Sequence, residues 1–245
     1  MAGTPDGAGS GAGVAGPRQG KGLRIALIAG IAVVAAVLVV LGVTQLYASM
    51  QTGDDVPAPA VGSGDDAPAV TRDLAELDGD WSVADGSEAG YRVDEVLNGT
   101  DVTVVGRTSQ VTGTVTVSGG ELTAADVEVD TASIETDEAA RDSQFQGILS
   151  TTEYPAATFS ATEAVDISAV ADGETVAVEV PGTMTITGTS QDVTAEIEVR
   201  LTDAGAELAA SIPVTFADYG IEAPDLGFVT VEDDGFVEAQ LSLAQ

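Results

Sequence analysis

The stretch Arg141 to Phe159, "RDSQFQGILSTTEYPAATF", breaks the pattern that governs the rest of the chain. Most of the sequence beyond residue 80 alternates apolar and polar residues with a period of two. Here the alternation stops. Phe145, Ile148 and Leu149 fall at helical spacing, which predicts one short apolar helix. Tyr154-Pro155 follows, and proline fixes its own φ and turns the chain. A strand then resumes at Thr158.

On either side the period of two is strict. "VTGTVTV" aligns Val111, Val115 and Val117, and "ADVEVD" opposes Val127 and Val129 to Glu128 and Asp130. "TVAVEV" aligns Val176, Val178 and Val180, and "VTAEIEVRL" aligns Val193, Ala195, Ile197, Val199 and Leu201. "LAASIPVTF" aligns Leu208, Ile212, Val214 and Phe216, and "FVEAQLSL" aligns Val237, Ala239, Leu241 and Leu243. Each strand therefore has one wet face and one dry face. Turn signals separate the runs: Ser118-Gly119-Gly120, Asp172-Gly173, Asp203-Ala204-Gly205 and Asp234-Gly235, each read as a tight hairpin. Pro181-Gly182 and Gly188 mark places where a closing sheet bends. About eight consecutive antiparallel strands result, and a sheet with one dry face must fold over or close. Small aliphatic side chains inside an eight-stranded barrel leave a lumen suited to a long hydrocarbon. The alternative is that they pack on one another as a sandwich core.

Composition limits the chemistry. The 245 residues include no cysteine and no histidine, which removes Cys-His and Ser-His-Asp catalysis and most zinc chemistry. Carboxylate-based hydrolysis stays open, but no acidic pair stands out. "DGDWSVADG", from Asp78, lacks the glycine and glutamate of a calcium loop, with Val83 and Ala89 in their places. Beyond residue 47 there are five arginines against 39 acidic residues, a net charge of −34. Such a surface repels nucleic acid and anionic lipid.

The chain divides into four parts. Residues 1–22 read as a disordered tail and 23–47 as a transmembrane helix. Residues 48–78 read as a flexible acidic linker rich in Pro, Gly and Ala, and 79–245 as the β domain. Ile25 to Tyr47 carries no charge, and at 1.5 Å per residue it covers roughly 35 Å, enough to cross a bilayer. Basic residues precede it and acids follow, so the tail is expected in the cytoplasm and the β domain outside the cell membrane. A cleaved signal peptide is the rival reading, although its apolar region is usually only about 7–15 residues.

Arg141-Asp142, Tyr154-Pro155 and Thr158-Phe159 together resemble the signature of the YceI-like, polyisoprenoid-binding family. "VPGTMTITGTSQDVT" (Val180 to Thr194) is similar to that family's Gly-x-Leu/Met-Thr-x-x-Gly hairpin. "FADYGIEAP" with "FVTVEDDGFVEAQLSL" resembles its closing strands, and "WSVADGSEAGYRVDEV" its first. The likeness runs from about Trp81 to Leu243. It implies an all-β, antiparallel, eight-stranded, lipocalin-like barrel with a short helical insertion. It also implies a polyisoprenoid or similar long-chain amphiphile in the lumen, and it does not imply an enzyme; no enzyme activity, other cofactor or metal is expected.

The lumen candidates are Val115, Val117, Val127 and Val129, then Val178, Ile197 and Val199, then Ile212, Val214 and Phe216. Phe159, Met184 and Ile186 come from the motif segments, and Phe145 and Leu149 from the helix, which is expected to cover a barrel mouth. Arg107 and Arg141 are head-group candidates, each with the plainer reading of a surface ion pair or cap. A structural or adhesive module with a solid core is the other functional reading, and a homodimer stays open.

Overall fold

The computed structural model describes residues 58–62 and 70–245. The tail and the membrane span expected over 1–22 and 23–47 lie outside these residues. Among the described residues, no helix is long and apolar enough to cross a membrane.

Eleven strands form one antiparallel sheet. They are β1 (Gly79–Val83), β2 (Glu88–Leu97), β3 (Thr100–Thr108), β4 (Val111–Ser118), β5 (Glu121–Asp130) and β6 (Ala156–Ala161). Then come β7 (Val165–Asp166), β8 (Val176–Ile186), β9 (Thr189–Thr202), β10 (Gly205–Thr215) and β11 (Val229–Ala244). The pairing runs β1-β4-β5-β6-β8-β9-β10-β11, and β11 returns to β1 through Ser82↔Ala244 and Val83↔Leu243. That closes an eight-stranded barrel. β2 and β3 continue it at one end.

About eight consecutive antiparallel strands were expected, and the first strands differ. β1 and β2 lie end to end along the 16-residue β11, and β3 and β4 lie end to end along them. Each pair is one long strand broken in the middle, at Ala84–Ser87 and at Ser109–Gln110. The hairpin between the long strands turns at Asn98-Gly99, both with positive φ, a type I′ signature. Two of the expected turns do other work. Asp172-Gly173 ends a 3-10 turn, Ser168–Asp172, with Gly173 as its left-handed cap. Asp234-Gly235 lies within β11, where the register against β2 shifts. A β-carbon at Gly235 would come within 2.7 Å of the Arg92 carbonyl and 3.1 Å of the Phe216 ring. Glycine stands there for close approach of strands, not for a turn.

The two ends of the barrel differ. At one, the helix Leu74–Leu77 and the Ser168–Asp172 turn form a floor. Trp81 is 3% exposed, and its Nε1 donates to the Leu77 carbonyl at 2.9 Å. Arg72 is tied to the same end: its N–H donates to the Ala171 carbonyl and its guanidinium to that of Thr202, both at 3.0 Å. The folded domain thus begins before the expected boundary at residue 79, because residues 70–78 build the floor. At the other end, β5 leads into an insertion that carries the helix Ala139–Ile148 and returns at β6.

Candidate functional site

All of the lumen candidates join one apolar cluster, together with Leu77, Trp81, Leu122, Val170, Tyr219 and Leu243. Inward alternation on every strand of a closed ring makes that cluster continuous from floor to mouth. At the floor, a wholly apolar cavity of about 30 Å³ is bordered by Trp81, Val117, Val178, Val199, Leu208 and Leu243, among others. That is room for about two water-sized spheres. Besides the strand residues, this floor is lined by groups that the strand pattern did not supply: Trp81 from the first strand, Leu77 from the floor helix and Val170 from the 3-10 turn.

The mouth is built by the insertion. Glu138 caps the helix, its side chain accepting from the Ala140 N–H. The Asp142 carboxylate accepts from the N–H and hydroxyl of Thr136 at 2.8 and 2.7 Å, which fixes the incoming loop. Gln146 Nε2 donates to the Ala132 carbonyl at 3.0 Å. At the far side, Tyr154 lies against the β8–β9 turn, where a β-carbon on Gly188 would approach its ring to 2.7 Å. Pro155 then leads into β6. Despite these ties the helix buries none of its residues fully. Phe145 is half-buried and stacks on Tyr91 of β2, with ring centroids 4.7 Å apart and planes 11° apart. Leu149, just after the helix, is buried.

Arg141, one turn before Phe145, lies 3.6 Å from Glu95 and 2.6 Å from Asp137. Glu95 faces inward on β2 and is 7% exposed. Its burial raises its pKa above the ordinary carboxylate value, Arg141 opposing the rise and Asp137 adding to it. Burial also pushes the Tyr91 phenol up to about 12, against the pull of Arg141 and with help from the nearby carboxylates.

Arg107 stands elsewhere. In the register of β3, β2 and β11 it is level with Gly90 and Glu238, on the outer face opposite to Tyr91. Its guanidinium donates to Glu238 and to the carbonyl of Tyr91, the latter at 2.9 Å. Arg92 Nε donates to the same Glu238 at 2.7 Å. Glu238 is only 1% exposed beneath these arginines. Arg107 and Arg141 are therefore on opposite faces of the sheet and do not form one site.

Sequence reading missed Tyr91, Glu95 and Tyr219 at the mouth. Tyr219 lies in the 3-10 turn Phe216–Tyr219 after β10, and its carbonyl accepts from the Thr187 hydroxyl at 2.8 Å. Its burial, and secondarily Asp218, raises its phenol pKa.

Residues 81–243 match the model of the YceI-like domain. Among solved structures, a polyisoprenoid binding domain from Saccharophagus degradans implicated in plant cell wall breakdown is 23% identical, with a TM-score of 0.53 over 67% of this chain and 97% of that one. Burkholderia cenocepacia BcnA is 19% identical, with a TM-score of 0.50 over 71% of this chain and 99% of that one. At these identities the likenesses concern the fold. No curated protein matches this chain.

Proposed function

We propose, from the premise that this chain belongs to the YceI-like family, that its barrel binds a polyisoprenoid or a similar long-chain amphiphile inside the ring. The guest enters past the insertion helix. Residues 23–47 anchor the protein in the cell membrane with the barrel outside, so that it carries, stores or senses a membrane lipid. One observation carries the binding reading: a continuous apolar interior is sealed by buried Trp81 at one end, and at the other is covered by a helix with no fully buried residue.

Magnitudes favour opening at the helix. Parting Tyr91 from Phe145 costs about 0.5–1.5 kcal/mol beyond the area lost, and exposing Phe145 and Leu149 about 2 kcal/mol each. An isoprene unit has five carbons, each contributing about 0.8 kcal/mol on burial. Between about one and two units therefore offset the opening, and longer chains bind with surplus. The small floor cavity favours a second reading, a structural module with a solid core. Organic extraction of the purified full chain, followed by mass spectrometry, separates the two. The binding reading expects an equimolar isoprenoid, or its uptake when geranylgeraniol is added. A protein that is lipid-free and takes up none is the solid module.

A further inference from the structure

Tyr219 is 3% exposed within the apolar cluster, and its hydroxyl has no hydrogen-bond partner. Among the described residues it is the one buried side-chain polar atom left in that state. Native proteins rarely leave such a group unpaired, because it forfeits its bonds to water and gains none. The Thr187 contact places Tyr219 at the β8–β9 turn, the same end of the barrel as the insertion helix.

The cation at that end is in a different position. Arg141 already faces Glu95 and Asp137, with Asp142 the next residue. A phosphate arriving there would meet more carboxylate than guanidinium. The other described arginines are engaged away from the interior. Arg92 and Arg107 hold Glu238 on the outer face, Arg200 pairs with Glu207, and Arg72 bonds to carbonyls at the floor.

We infer, building on the lipid-binding reading, that the barrel selects isoprenoids whose head is an uncharged oxygen, an alcohol or a carbonyl, and that the Tyr219 hydroxyl receives it. A neutral head supplies the missing partner without adding negative charge to an acidic mouth. A phosphorylated head needs a free cation, and Arg141 is not one.

The test uses the full chain in detergent and three probes: geranylgeraniol, geranylgeranyl phosphate and the headless hydrocarbon phytane. The alcohol should bind at least about tenfold more tightly than the phosphate. Tyr219→Phe should weaken the alcohol by about tenfold, the size of one neutral hydrogen bond, and leave phytane unchanged. Without lipid, this variant should melt no lower than the parent, since it loses an unpaired hydroxyl. Phosphate binding as tight as alcohol, alcohol binding unaffected by Tyr219→Phe, or a lower melting point of the empty variant would each overturn the inference while leaving lipid binding intact. Failure of all three probes to bind the parent would remove the lipid-binding reading and this inference with it.

Discussion

At the residue scale, charges on this chain act according to the face they occupy. Glu238 lies beneath two guanidinium groups on the outer face. Removing one member of such a buried set strands the others. Glu238→Ala should lower unfolding stability by about 3 kcal/mol, read from denaturant midpoints, without altering lipid uptake. Gly90 lies between Arg107 and Glu238 in the strand register, and a β-carbon there would lie 1.9 Å from the Gly106 carbonyl oxygen. Gly90→Ala should cost about 1–3 kcal/mol by overpacking. Glu95 has the opposite sense to a stabilising carboxylate. Its folded pKa is raised above 4.5, so its contribution is fully present below the unfolded value and is lost as pH rises through the folded one. Between the two values the parent should lose stability relative to Glu95→Gln, in melts compared across mildly acidic pH. Arg107 and Arg141 looked equivalent in the sequence because both are rare cations in an acidic domain. What separates them is strand register, in which Arg107 is matched to a glutamate 131 residues away, and no local pattern encodes that.

At the scale of elements, the alternation of Val, Ile and Leu with Thr and Glu located β4, β5 and β8–β11, because half-buried strands must alternate. The breaks at Ala84–Ser87 and Ser109–Gln110 were not legible. They depend on how β11 is shared between β1 and β2, which is a long-range matter. The helix was legible from Phe145, Ile148 and Leu149, and so was the corner at Pro155. Its partner Tyr91 was not, since it lies 54 residues earlier on an irregular strand. The helix is held by a few separable contacts, so Phe145→Ala should speed amide exchange over residues 139–148 several-fold, as expected from losing an aromatic pair worth about 1 kcal/mol. Exchange in β8, β9 and β10 should be unchanged, and equal acceleration throughout the barrel would show that the helix is not an independent cover.

At the scale of the whole molecule, the barrel's ends divide the labour. The floor joins residues 70–78 to the ring and closes it, and the mouth carries the shallowly packed helix and the unpaired Tyr219. Closure was inferable from strand number and one-sided burial. The small floor cavity was not, because groups that line it, Trp81, Leu77 and Val170, come from elements outside the alternating runs. If the helix opens against a fixed cost, affinity for isoprenoid alcohols should rise steeply with chain length beyond about two units, and a titration series from geraniol upward reads this directly.

Trp81, the single tryptophan of the chain, borders the floor cavity and reports on any guest that reaches it. The most direct measurement is its fluorescence during titration of the full chain with an isoprenoid alcohol brominated at the tail end, bromine being a contact quencher. A chain threaded from mouth to floor predicts quenching that saturates at an equimolar ratio. Emission unchanged by excess lipid would contradict the binding of a lipid inside this barrel.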